Sequence, residues 1–219
     1  MNKLATDGWT LFRPDLGTDV LASLRGAALA DNGPGQRCLL DQARVREVAV
    51  SLRVALVKGG FLPEGAPAVQ AIAFDKTKNA NWKVIWHQDV MFPFAKPVTS
   101  PTFELPGTKD GIPYARPPRG VLENLLAARL HLDDCDDSNG PLRVAVGSHL
   151  HGVINGPEIP RVLERSRKAV CLAKEGEVLL MKPLLLHASS AAAEPKHRRV
   201  LHFVYYSGAP ITERWHRVV

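Results

Sequence analysis

Two periodicities divide the chain. From Asp41 to Lys58, apolar residues recur at Val45, Val48, Ala49, Leu52 and Leu56, the spacing of one buried helix face. Asp41 is the expected N-cap of this helix, and Gly59-Gly60 ends it. A weaker helical pattern covers Asp19 to Ala30. Such stripes belong to helices that pack against a core, and neither carries chemistry. After Pro67 the period shortens. Val69–Asp75, Lys83–Asp89, Leu125–Asp134, Leu142–Val146, Lys168–Ala173, Glu177–Lys182, Leu184–Ser189 and Arg198–Ser207 read as strands. Turn residues such as Asn139-Gly140-Pro141 and Glu175-Gly176 separate them. The fold class is therefore mainly β with N-terminal helices: a sandwich, jelly roll or barrel.

One segment interrupts the strands. Met91 to Gly120 holds seven of the 17 prolines and a Lys109-Asp110-Gly111 turn. A structureless stretch of this length inside a compact domain is expected to be a lid or binding loop. The whole chain, 1–219, reads as a single domain. Residues 1–66 form its helical part, and 67–219 form a β core interrupted by the 91–120 insertion.

Composition narrows the class. With 45% hydrophobic and 23% charged residues over 219 positions, the chain is neither disordered nor collagen-like. Three cysteines without CxxC spacing predict free thiols in a reducing cytoplasm. Met1–Asp15 lacks the apolar stretch of a signal peptide, and no apolar run is long enough to span a membrane. The formal charge of +6 keeps nucleic acid in view. Yet Arg165/Arg167/Lys168 and Lys196/Arg198/Arg199 have no aromatics interleaved, and aromatics are 6% overall. Base-stacking platforms are not supported. The expected partner is a small molecule, with no nucleic acid and no membrane.

Candidate chemistry concentrates in Trp86-His87-Gln88-Asp89 at a strand end. Alternation sends His87 and Asp89 to one face and Gln88 to the other. An imidazole and a carboxylate so placed are two thirds of a 2-His-1-carboxylate site, which suits non-haem Fe(II) and leaves coordination positions open. His131 and Asp133 have the same spacing, so strand order must choose. His187 follows in LLLHASS, and Arg198 comes eleven residues later. Pairing His87 and Asp89 with His187 leaves the strands needed for opposed strands to aim into one mouth. The His131 pair leaves too few.

Together, WHQD, LHLDDCDDSNGPLRVAVGSH and MKPLLLHASSAAAEPKHRRVLHF resemble the phytanoyl-CoA dioxygenase family of Fe(II)/2-oxoglutarate oxygenases, from about Gln70 to Tyr206. The resemblance implies a double-stranded β-helix, a cupin-like jelly roll with helices before it. It implies Fe(II) on His87, Asp89 and His187, with 2-oxoglutarate and O2 as co-substrates. Arg198 would anchor the far carboxylate of 2-oxoglutarate, assisted by Ser189. Arg is suited to that task because it is planar, always charged and bidentate. Its neighbour Arg199 is the rival, and alternation lets only one face the cavity. Asp89 matters further, because related iron halogenases lack the carboxylate; its presence implies hydroxylation, with release of succinate and CO2. Val146 departs from the family, which usually has proline before the Gly-Ser-His turn.

Other residues are weighed on their own pattern. In Leu125–Asp134, Leu130 and Leu132 share one face and Arg129, His131 and Asp133 the other. If the apolar face packs on helices, Arg129 and His131 approach the iron, the substrate or 2-oxoglutarate; the opposite case exposes them to solvent. Asp133, Asp134, Asp136 and Asp137 lack the glutamate that an EF-hand loop needs, since Ala145 occupies its place. His149 reads as a structural turn residue. A cupin-like protein that binds a small molecule or metal without turning it over is the competing class, because fold alone does not fix function.

Overall fold

The computed structural model describes residues 3–27 and 35–219. Two antiparallel sheets lie face to face. The larger runs, in order, β1 (Trp9–Phe12), β11 (Val178–Met181), β8 (Leu125–His131), β13 (Arg198–Tyr206), β3 (Ala68–Lys76) and β2 (Gly35–Gln36). The smaller runs β10 (Lys168–Cys171), β9 (Leu142–Ala145), β12 (His187–Ser189) and β4 (Val84–His87). This is the cupin-like jelly roll that the strand pattern and the resemblance predict. The two-residue period explains how one sheet serves two cores. Along β13, Leu201, Phe203 and Tyr205 turn outward, while Val204 and Tyr206 belong to a separate inner cluster. The outward residues pack with Ala128, Leu130 and Leu132 against α2 (Thr18–Ala27) and α3 (Ala43–Lys58).

The helix α3 buries Val45, Val48, Ala49, Leu52 and Leu56, the face its spacing predicts. Its cap differs from expectation. Gln42 is the N-cap and makes no side-chain cap bond, whereas Asp41 closes a preceding 3-10 turn and directs its carboxylate to Arg217. The pattern expected over Asp19–Ala30 is α2, and Ala28–Ala30 lie outside the described residues.

Two further corrections concern strands. The region 1–66 is not purely helical: besides α1 (Lys3–Asp7) it supplies β1 and β2, which close both edges of the larger sheet. Strands of four and two residues have too little periodicity to be read without their partners. The 91–120 segment is not structureless. β5 (Phe92–Pro93), β7 (Ile112–Arg116) and β6 (Glu104–Lys109) form a small third sheet, followed by α4 (Arg119–Glu123). Asp110 and Gly111, at φ 51° and 76°, make the two-residue turn joining β6 to β7. Its prolines masked these strands, since proline within a run argues against strand; here Pro106 falls where the β6–β7 register shifts. On the outer side of the smaller sheet, α5 (Ile159–Arg165) covers Ala145, Ile154 and Leu186.

Candidate metal centre and active site

His87 ends β4 and His187 opens β12, and the register sets them directly opposite each other. Asp89 follows two residues past His87, where its N–H donates to the Pro183 carbonyl at 2.9 Å. One ligand atom from each of His87, Asp89 and His187 falls within 4.8 Å of the others. The proton positions follow from the partners. His87 Nδ1 lies 2.8 Å from the Ile85 carbonyl, and His187 Nδ1 lies 2.9 Å from the Leu185 carbonyl. A carbonyl only accepts, so each Nδ1 carries the proton and each Nε2 keeps its lone pair. Those lone pairs face Asp89 Oδ1 at 3.4 Å and Oδ2 at 3.6 Å. Two imidazole nitrogens and a carboxylate converging on one point make a cation's donor set, and this set fits Fe(II).

The electrostatics agree. The Asp89 carboxyl is held far below its usual range: burial opposes this, but the surrounding imidazoles of His187, His87 and His202 outweigh it. For His87, burial is the largest influence and lowers the pKa, yet Asp89 and the Ile85 carbonyl together raise it. Burial holds His187 down at about 4, so it stays neutral and ligand-competent. Gln88 points to the opposite side, as alternation predicts. Its amide donates to the Gly152 and Leu184 carbonyls and accepts from the Ile154 N–H, tying the ligand strand to two loops.

A cavity of about 320 Å³ opens beside the three residues. Its wall carries Ile72, Phe74, Val90, Met91 and Phe92, and its polar groups include Arg129, Ser189, Arg198 and His202. Arg198 is 4% exposed, donates to the Gly140 carbonyl, and leaves its Nε unpartnered. A buried guanidinium with a free donor aimed into a cavity fits a carboxylate such as that of 2-oxoglutarate. Gly140 is required for this contact. Its φ is +72°, and a Cβ there would meet the Ser190 carbonyl oxygen at 2.7 Å. Arg199 faces the other side and pairs with Asp133 through Nε at 2.9 Å and Nη2 at 2.7 Å.

Arg129 also lines the cavity, so the apolar face of β8 does pack on helices. Its Nη1 lies 3.1 Å from His202 Nδ1; because guanidinium only donates, neutral His202 carries its proton on Nε2. His131 is buried on the same side, but both ring nitrogens lack partners and it is not among the cavity-lining residues. Asp133 departs from its expected face, because β8 ends at His131 and the chain turns the carboxylate toward Arg199 and Arg25. Asp134 holds Lys174 and the Glu175 N–H, and Asp136 caps Ser138. His149 Nε2 lies 3.1 Å from the Ala5 carbonyl and fastens the N-terminal segment.

Sequence reasoning did not single out Arg37, Gln70, Trp82 and His202, which line the cavity, or a lysine that supports them. Lys76 lies behind Ser189, with Nζ 3.2 Å from Oγ. The signal for Lys76 was the alternation Gln70, Ile72, Phe74, which puts position 76 on the cavity face. The expected strand stopped at Asp75, one residue short of it.

Solved structures share this fold. AviO1 from Streptomyces viridochromogenes Tue57 is 18% identical with a TM-score of 0.68, covering 96% of this chain and 95% of that one. EctD from S. alaskensis, solved with 2-oxoglutarate and 5-hydroxyectoine, is 18% identical with a TM-score of 0.68, covering 94% and 74%. HygX from Streptomyces hygroscopicus, solved with iron bound, is 15% identical with a TM-score of 0.61, covering 93% and 83%. No curated protein matches the chain by sequence. The family comparison reaches further, matching phytanoyl-CoA dioxygenase over residues 22–200. The chain belongs to the phytanoyl-CoA dioxygenase family and is an Fe(II)- and 2-oxoglutarate-dependent oxygenase.

Proposed function

We propose that the protein hydroxylates a small molecule at an unactivated C–H bond, converting 2-oxoglutarate to succinate and CO2. The observation that carries this reading is the convergence of two proton-free imidazole nitrogens and both Asp89 oxygens beside a cavity with a buried, incompletely satisfied arginine. His87, Asp89 and His187 are the iron ligands in this reading. Bound there, iron supplies the activation of O2 and the oxidation of the C–H bond.

The chain's own residues orient and shield. The Ile85 and Leu185 carbonyls fix the ligand tautomers. Arg198 and Ser189 receive the far carboxylate of 2-oxoglutarate. Arg129 is 7% exposed with a free Nε, and receives a second anionic group, from 2-oxoglutarate or from substrate. Because His131 does not line the cavity, we assign it no contact with either. Met91, with Phe92, Lys109 and Tyr114 from the third sheet, lines the cavity, so in this reading the 91–120 segment acts as the lid. They exclude water and meet the substrate. The Asp89 carboxylate fills the position a halide would otherwise take, which favours hydroxylation.

The test is anaerobic addition of Fe(II) and 2-oxoglutarate, followed by a succinate screen against amino acids, lipids, acyl-CoAs and natural products. A weak visible charge-transfer band and substrate-stimulated succinate support the reading. Folded, metal-loaded protein without the band would instead be a cupin-like binder.

A further inference from the structure

Lys76 and Arg198 stand directly opposite each other on β3 and β13. Lys76 is 0% exposed and Arg198 is 4% exposed. Like charges in this position repel, and burial makes the repulsion costlier. The acids nearby are committed elsewhere. Asp75 takes the Arg198 backbone N–H and His197, Asp133 takes Arg199, and Asp136 takes Lys196. Among the described residues, the side-chain contacts of Lys76 and Arg198 include Ser189, the Ser190 carbonyl, the Gly140 carbonyl, the Trp82 ring and the Cys135 thiol. Two buried cations thus share one wall, and Asp75, already bonded to the Arg198 backbone N–H and to His197, is the acid that acts on Arg198.

The hydrogen bond from Lys76 Nζ to Ser189 Oγ, at 3.2 Å, has a direction. Ammonium only donates, so the hydroxyl oxygen accepts and its hydrogen is free for another partner. Ser189 lines the cavity beside Arg198. We propose that Lys76 is a positioning residue for the far carboxylate of 2-oxoglutarate: it holds Ser189 as a donor toward the cavity and supplies a second positive charge behind it. This rests on the reading above that Arg198 and Ser189 receive that carboxylate.

Titration of 2-oxoglutarate into the full-length, Ni(II)-loaded protein by calorimetry tests it without turnover. Lys76→Met is expected to weaken 2-oxoglutarate by about tenfold and leave Ni(II) affinity unchanged. Ser189→Ala is expected to weaken binding by about threefold in the wild type and not at all in the Lys76→Met background. Unchanged affinity in Lys76→Met, or losses that simply multiply, would overturn the proposal. Arg198→Met separates the two levels. If it leaves affinity intact, the reading of the cavity fails; if it alone weakens binding, only the role of Lys76 fails.

Should Lys76→Met not fold, the wild-type pH profile decides. Burial, then Arg198, lowers the Lys76 pKa to about 8. The charged or titratable groups facing it are Arg198 from β13, Arg129 from β8 and Cys135 just beyond β8. Burial pushes the Cys135 thiol up, and Arg129, lowered to about 10, stays mostly charged at pH 9. Affinity for 2-oxoglutarate is therefore expected to fall about tenfold from about pH 7 to about pH 9, as Lys76 loses its proton. A flat profile would overturn the proposal.

Discussion

His87 and His187 face each other across β4 and β12, with each Nδ1 bonded to the carbonyl two residues behind it. The same local geometry occurs twice, and it points both Nε2 lone pairs at Asp89. The rings lie 4.2 Å apart between centroids. The proposed ligand set is therefore organised by backbone contacts, and little rearrangement is needed for a metal to join it.

Removing one of these groups should release the metal. His87→Ala or Asp89→Ala is expected to lower Fe(II) affinity by about a hundredfold or more and abolish 2-oxoglutarate-dependent succinate formation. Bound iron after desalting, together with a succinate assay, checks both. Full decarboxylation in either variant would mean the ligands lie elsewhere.

Two adjacent arginines should behave differently. Arg198→Ala should raise the KM for 2-oxoglutarate steeply while iron stays bound, because its guanidinium lines the cavity. Arg199→Ala should leave that KM unchanged and lower stability by about 1–2 kcal/mol, because it breaks the bidentate pair with Asp133. Kinetics and urea denaturation of the two variants distinguish them, and an equal effect on KM would contradict the alternation of β13.

The Asp133 pair should also shape acid stability. Burial tends to raise this carboxyl, but the Arg199 hydrogen bonds and charge, with Arg25, hold it below 3.8. A carboxyl whose folded pKa is depressed contributes stability above its unfolded value and loses it as pH falls through the folded one. Asp133→Asn is thus expected to be less stable than wild type near pH 7, with the gap narrowing from about pH 5 to about pH 3. Urea midpoints across that range are the measurement; a constant gap would rule out this linkage.

Gln88 should matter although it ligates nothing. Its amide satisfies the Gly152 and Leu184 carbonyls and the Ile154 N–H. Gln88→Ala leaves these groups without partners and should cost about 1–3 kcal/mol by denaturant unfolding. It should also loosen the strand end between His87 and Asp89, seen as weaker metal binding at unchanged 2-oxoglutarate affinity per metal-loaded protein.

Much of this was legible along the chain because it depends on short-range periodicity. The α3 face, the shared face of Leu130 and Leu132, and the opposed sides of His87 and Gln88 follow from periods of 3.6 and 2. The candidate ligands were legible as a pattern, since an HxD at a strand end, a later histidine and an arginine eleven positions on are chemically specific together. Tertiary structure decided what depends on partners distant in sequence. Edge strands β1 and β2 exist because β11 and β3 offer them hydrogen bonds, and the third sheet accommodates prolines that local rules exclude. Asp133 was drawn from its expected face by Arg199 and Arg25. Lys76, which lay just past the expected strand Val69–Asp75, is buried opposite Arg198 because β13 pairs with β3 along nearly its full length. Periodicity states which residues share a face; only the pairing of strands states what that face meets.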